Sequence, residues 1–302
     1  DILKRFEAGL DPQNLDRSAI PAQLIGFGEI SAIFQIAADT SRAYKRMPLF
    51  KTIAEAEQYA GMYQAYCRRL TQSGLNLPDS DTHIVALPQR PVVLYIVQAQ
   101  LPAACIANRL IQPLNSADFK TLLGKILNTL NRFWEYNRSL QPDLELALDG
   151  QISNWALTAD GPGETLYFID TSTPLIRQRG VEQLDPELLL QAAPSFLRCL
   201  IRWLFVDDVM TRYYDPRQVL IDLSANLIKE QRPDLVAPAV ALINAHLPAS
   251  LPPVTPAEVK RYYREDKFIW TLFLAFRKLD RTLTKYVSRK RYEFILPGSI
   301  KR

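Results

Sequence analysis

The chain has 302 residues, 48% of them hydrophobic, and a formal net charge of +4. That is enough apolar material for a substantial core shared between two packed lobes, while apolar runs such as residues 268–270 and 272–276 fall well short of the roughly 20 residues a membrane helix needs. Three cysteines (Cys67, Cys105, Cys199), odd in number and far apart, argue against a disulfide framework, and two isolated histidines (His83, His246) provide neither a zinc site nor a Ser-His-Asp triad.

The charged start, Asp1-Ile-Leu-Lys-Arg-Phe-Glu7, lacks the apolar core of a secretory signal, which leaves cytoplasm as the expected compartment. From Ala22 to Met47 the pattern is strand-like: Gln23-Leu-Ile-Gly26, Ser31-Ala-Ile-Phe-Gln-Ile-Ala37 and Arg42-Ala-Tyr-Lys-Arg-Met47 alternate with glycine or polar turns. Residues 52–72 change to helical texture, with Ala54, Tyr59, Met62, Tyr63 and Tyr66 at three- and four-residue steps and Gly74 as a stop. His83-Ile-Val-Ala-Leu-Pro88 and Pro91-Val-Val-Leu-Tyr-Ile-Val-Gln98 read as two more strands, giving the order βββαββ.

Beyond Gln98-Ala-Gln-Leu-Pro102 the texture becomes mainly helical, with Ser116 as the predicted cap of a long helix ending near Ser139. A hairpin, with Asp160-Gly-Pro-Gly163 between its strands, interrupts this half. From about Pro186 onward the sequence again reads as helices broken by prolines. Residues 258–302 carry 13 Lys/Arg against 5 Asp/Glu, so this tail is +8 and the preceding body −4. A packed helix with a solvated basic side is the expected arrangement, and nucleic acid is not the expected partner.

Several residues in this pattern bear chemistry. Gly26-Phe-Gly-Glu-Ile-Ser31 lies between two strands, where glycines let backbone N–H groups approach phosphate oxygens; a dinucleotide fingerprint would instead open a helix. Lys45, ending the third strand, is a candidate to neutralise nucleotide phosphates, with Glu57 or Glu55 on the next helix to hold it. Asp149-Gly-Gln-Ile-Ser-Asn154 and the strand-end Asp170 supply a carboxylate to orient or deprotonate a hydroxyl and two oxygen ligands suited to magnesium.

In that order these parts resemble the protein kinase-like superfamily, particularly its aminoglycoside and choline kinase-like branch, from about Leu24 to Asp170. The resemblance implies an α+β, two-lobed protein kinase-like fold. Its N-lobe, residues 1–98, would be a small five-stranded antiparallel sheet with one helix. A hinge at 99–102 would lead to a larger, mainly helical C-lobe at 103–302, with a catalytic hairpin at 147–170. It also implies an ATP-dependent phosphotransferase using Mg²⁺ on a small-molecule hydroxyl. Asp149 would be the catalytic aspartate, and Asn154 and Asp170 the metal ligands. Gly26, Gly28 and Ser31 would lie over the nucleotide, Lys45 on its phosphates paired with Glu57, and Gln98 and Gln100 beside adenine.

Two departures narrow the reading. Ala147-Leu-Asp149 stands where the family has His-x-Asp, and Asp170-Thr-Ser-Thr-Pro174 stands where Asp-Phe-Gly is common, with no room for a long activation loop. They argue against a regulated protein kinase. They keep two alternatives open: a pseudokinase that binds nucleotide and acts through a protein partner, and an AMP transferase on the same scaffold.

Overall fold

The short apolar runs of the N-terminal part form one sheet in a computed structural model of the chain, which describes residues 2–28, 31–159, 163–185, 188, 211–289 and 291–296. Strands β1 (Ala22–Phe27), β2 (Ala32–Ile36), β3 (Arg42–Phe50), β4 (Ser80–Val85) and β5 (Val92–Ala99) are all antiparallel, in the spatial order β1-β2-β3-β5-β4. Helix α2 (Ile53–Gln72) enters between β3 and β4, so the order is βββαββ. Thr52 caps it by accepting from Glu55 N, and Gly74, at φ +90, follows its end in a conformation that favours glycine.

Both faces of the sheet are covered, which explains why β5 is buried along nearly its whole length rather than alternating. On one face Tyr59, Ala60 and Tyr63 of α2 pack against Met47, Leu94 and Ile96. On the other, helix α1 (Ile2–Gly9) sets Leu3 and Phe6 against Phe34, Tyr95 and Val97. The sequence pattern gave no sign of α1. It also placed His83 at the start of a strand, whereas His83 lies within β4.

The remaining described chain is largely helical. After the short α3 (Ala107–Leu110), the long helix α4 (Ser116–Leu140) buries Phe119, Leu122, Leu123, Ile126, Leu127, Leu130 and Phe133 at helical spacing. Its cap is Asn115, one residue before the predicted Ser116; Asn115 Oδ1 accepts from Ala117 N and Asp118 N. Short strands follow: β6 (Leu144–Leu146), β7 (Trp155–Thr158), β8 (Thr165–Phe168), β9 (Ile176–Gln178) and β10 (Val181–Glu182). The β7–β8 pair is the expected hairpin, and β6 joins β9 and β10 in a second small sheet. Helices α5 (Pro216–Lys229), α6 (Val236–His246) and α7 (Pro256–Thr282) complete the core around α4.

The Asp160-Gly-Pro162 part of the hairpin turn, Cys199 and the expected helical texture at residues 189–210 lie outside the described residues. Cys67 and Cys105 are free thiols. In the basic tail, α7 sets Phe273 and Phe276 against the α2 face of the sheet, and the aliphatic and charged parts of Arg277 are buried between Phe273 and Phe294. No described helix is long and apolar enough to cross a membrane.

Candidate functional site

One row of the sheet sets the geometry. Antiparallel register pairs Gly26 with Ile33, Ile33 with Lys45, and Lys45 with Ile96, so these residues lie side by side across four strands. Lys45 points to the α2 face and Arg46, one residue on, to the opposite face, because strand side chains alternate. The glycine turn closes tightly: Gly28 N donates to Ser31 O at 2.9 Å, and a Cβ on Gly28 would sit 2.6 Å from Ser31 Oγ. Glu29 and Ile30, at the tip of this turn, lie outside the described residues.

Across from this row, the segment after β8 meets Lys45. The Lys45 ammonium, almost fully buried, donates to Asp170 Oδ1 at 3.1 Å and to the Ile169 carbonyl at 3.2 Å. Gln98 Nε2 donates to the same carbonyl at 3.2 Å. Ile169 N donates to Asn154 O at 2.8 Å, and Asn154 Nδ2 donates to the Asp149 carbonyl at 3.1 Å. A continuous set of bonds therefore runs from Lys45 through residues 169 and 154 to Asp149.

The two aspartates are pushed in opposite directions. Burial and the nearby Asp222 charge raise the Asp149 carboxyl well above the usual aspartate value, against the pull of Gln151 N and Lys229. At Asp170, burial also pulls upward, but Lys45 and the Ser172 hydroxyl outweigh it and hold the carboxyl below its ordinary value. Asp170 is thus kept ionised, and Asp149 keeps a high proton affinity. Burial, which strips water from the carboxylate, and the Asp266 charge push Asp222 up to about 7 despite Gln151, Lys229 and Arg212.

Two oxygens at this site suit a hard cation. Asn154 uses its Nδ2, leaving Oδ1 without a hydrogen bond among the described residues, and Asp170 receives all its donors on Oδ1, leaving Oδ2 likewise unengaged. One carboxylate and one carboxamide oxygen fit magnesium, which takes few protein ligands and keeps several waters.

Some predicted partners are elsewhere. Glu57 does not meet Lys45: the buried stripe of α2 is Ala56, Tyr59, Ala60, Tyr63, Tyr66 and Leu70, which turns Glu57 outward into solvent. The alternative, Glu55, accepts from Lys51 N at the start of the helix. The carboxylate that holds Lys45 is Asp170. Gln98 turns inward to Ile169, and Gln100 Oε1 accepts from Gln35 Nε2 at 2.9 Å, so both carboxamides brace the chain at the end of β5.

Tyrosines of α2, rather than an acid, link this helix to the segments that carry Asp149 and Asp170. Tyr59 donates to Ser172 O at 2.6 Å, Tyr63 lies 3.2 Å from Thr171 Oγ1, and Tyr66 donates to Ala147 O at 2.6 Å. Gln151, Asp222, Asn226 and Lys229 also belong to the site, although the sequence reading assigned them no role. A signal for the last three exists: they recur at steps of four and three within the otherwise apolar run of α5, so they form a polar stripe on a buried helix.

Fold and site together define a mixed α/β protein. Its five-stranded antiparallel sheet carries a buried lysine against an aspartate of a largely helical second part. Residues 12–281 match the family described as "Family of unknown function (DUF6206)", and the chain belongs to that family. No curated protein matches it in sequence. Among solved structures it is similar to "WaaP in complex with acyl carrier protein", at 16% identity and a TM-score of 0.35 over 74% of this chain and 90% of that one.

Proposed function

We propose that the chain is an atypical ATP-dependent phosphotransferase of protein kinase-like fold, with residues 1–98 as N-lobe, 99–102 as hinge and 103–302 as C-lobe. Its acceptor is a small-molecule hydroxyl. The observation that carries the reading is the bonded path from Lys45 to Asp149. It joins a cation, two oxygen ligands and a high-affinity proton acceptor drawn from positions up to 125 residues apart.

In this reading Lys45 neutralises phosphate charge beneath the Gly26 and Gly28 turn. Asp170 and Asn154 hold magnesium, which supplies screening of the phosphate charge when bound. Asp149 aligns the acceptor hydroxyl and receives its proton, a role favoured by a carboxyl whose proton affinity is raised by burial and the Asp222 charge. The missing His-x-Asp histidine is offset locally: Tyr66 anchors the Ala147 carbonyl, and Ala147 N donates to Leu175 O at 3.1 Å. Tyr59 and Tyr63 fix the segment that lacks the Asp-Phe-Gly glycine.

Incubation with γ- and α-labelled ATP and Mg²⁺, in the presence of a panel of hydroxyl acceptors, tests the reading. Transfer of the γ-label is expected, to fall by about a hundredfold or more in Asp149→Asn while ATP binding persists, and Asp170→Ala should lose the Mg²⁺-dependent part of that binding. Transfer of the α-label would identify AMP transfer instead. Absence of ATP·Mg²⁺ binding by calorimetry would overturn the nucleotide reading altogether.

A further inference from the structure

Gln151 connects the proposed acceptor side of the site to helix α5. Its backbone N–H donates to Asp149 Oδ1 at 3.0 Å, and its side-chain Nε2 donates to Asp222 Oδ2 at 3.2 Å. Its side-chain oxygen accepts from Asn226 Nδ2 at 3.2 Å and from Lys229 Nζ at 3.1 Å. Asp222, Asn226 and Lys229 follow one another at four- and three-residue steps, so α5 presents them as one stripe toward the Asp149 loop.

Lys229 is held differently from Lys45, the other cation at the site. Its ammonium has three donors, and its single partner among the described residues is the neutral Gln151 oxygen. It makes no ion pair there, although Asp149 and Asp222 both lie within its electrostatic reach. Lys45, by contrast, is matched by Asp170. A half-buried lysine beside the proposed reaction centre, fixed by an uncharged group and with two N–H donors unused among the described residues, is suited to receive an anion.

We propose that Lys229, positioned by Gln151, is the cation that seats the transferred phosphoryl group beside Asp149. The inference rests on the phosphotransferase reading above and adds to it a residue from the helical part. The acceptor oxygen bonds to the γ-phosphorus as the bond from that phosphorus to the bridging oxygen breaks. ADP leaves with the electron pair, the hydroxyl proton goes to Asp149, and Lys229 stays protonated throughout. A neutral residue at position 151 serves this role, because a carboxylate there would neutralise Lys229 and repel the phosphoryl oxygens.

Calorimetry with ATP·Mg²⁺ and ADP·Mg²⁺ on the full chain needs no knowledge of the acceptor. Lys229→Met should weaken ATP by about tenfold or more, the scale of one charge-assisted hydrogen bond, and leave ADP affinity unchanged; Lys229→Arg should restore part of the difference. Gln151→Glu should weaken ATP relative to ADP in the same direction. ADP affinity doubles as the check that each variant is folded, and Lys229→Gln replaces Lys229→Met if the latter fails it. A wild-type chain that binds both nucleotides, with an unchanged ATP-to-ADP ratio in the Lys229 variants, would overturn this inference and leave the phosphotransferase reading standing. A wild-type chain that binds neither would overturn both.

Discussion

Strand β3 carries two adjacent cations to opposite faces of one sheet, and the chain treats them differently. Behind the sheet, Arg46 is buried and fully matched. It donates to Glu7 Oε1 and Oε2 at 2.7 Å each, to Glu293 Oε2 at 2.9 Å and to the Glu293 carbonyl at 2.7 Å. Arg90 bridges the same two glutamates, and Tyr95 donates to Glu7. In front, Lys45 meets one aspartate with an oxygen unengaged among the described residues, near two carboxyls of raised proton affinity and a lysine that has no ion pair among them. A cluster whose charged side chains are all ion-paired within the chain holds architecture together, here α1, β3, β5 and residues 291–296, where Arg291 also pairs with Glu293. One that leaves charged groups without an ion pair among the described residues is what the proposed nucleotide site would require.

The largest effect should come from breaking the rear cluster. Glu7→Ala leaves the buried Arg46 and Arg90 with Glu293 alone and should destabilise the fold by about 3–5 kcal/mol, the range for removing one member of a buried pair, measured by urea unfolding. Asp170→Ala in front should cost less, because the Asp170 side chain is 41% exposed and water can reach the ammonium it leaves behind, although Lys45 then keeps only the Ile169 carbonyl among the described residues. Equal losses in the two variants would break the distinction between the clusters.

The two clusters should also respond to pH with opposite sign. Burial lifts the Glu7 carboxyl, but Arg46, Tyr95 and Arg90 outweigh it and hold Glu7 below its ordinary 4.5. Its contribution is therefore present above pH 4.5 and lost as pH falls through the lower folded value. Asp222 rises from 3.8 to about 7, through burial first and then the Asp266 charge. Its folded form prefers the proton, so its contribution is complete below 3.8 and declines as pH climbs toward 7. Unfolding curves of Asp222→Asn between pH 4 and 8 should lack that decline, and those of Glu7→Gln, followed downward from pH 4.5, should lack the acid-side loss. A decline that persists in Asp222→Asn would assign it to another group.

Gly150 couples the front cluster to α5. A Cβ there would fall 2.6 Å from Val219 Cγ1, with Leu148 Cδ1 and Leu130 Cδ1 close behind. Gly150→Ala should cost about 1–3 kcal/mol, as overpacking does, and should lower γ-phosphoryl transfer, because the displaced loop carries Asp149. Full activity in a destabilised variant would show that Val219 yields without moving the loop.

The two regions differed equally in how far the sequence disclosed them. The front was largely legible because its residues sit at fixed offsets inside local patterns: a glycine turn between strands, a lysine in the third strand, Asp149 and Asn154 five apart, and Asp170 close after a hairpin strand. The strand ends were not: Lys45 falls inside β3, which runs on to Phe50, and β8 stops at Phe168. The rear was not. Its members, Glu7, Arg46, Arg90 and Glu293, are spread over most of the chain and are joined only by tertiary folding. Periodicity marks an apolar face, and it carries no signal for which distant charges will share one buried site. The same limit hid Gln151's partners, although Asp222, Asn226 and Lys229 do stand out as polar interruptions of an apolar helix.

The smallest effect concerns helix α2, where the kinase-like pattern called for an acid. Glu57 is exposed, so Glu57→Ala should change stability by less than about 0.5 kcal/mol, as surface substitutions do, and should leave ATP·Mg²⁺ affinity unaltered. Tyr59→Phe, two residues on, should matter more. It removes the 2.6 Å bond to the buried Ser172 carbonyl, a loss of about 1 kcal/mol or somewhat more, and loosens the segment whose first residue, Asp170, holds Lys45. The pair of variants places the link between α2 and the site in the tyrosines, through the backbone of residues 171 and 172. If Glu57→Ala weakened nucleotide binding while Tyr59→Phe did not, Glu57 would have to swing inward when nucleotide binds, and the front of β3 would be more mobile than its rear.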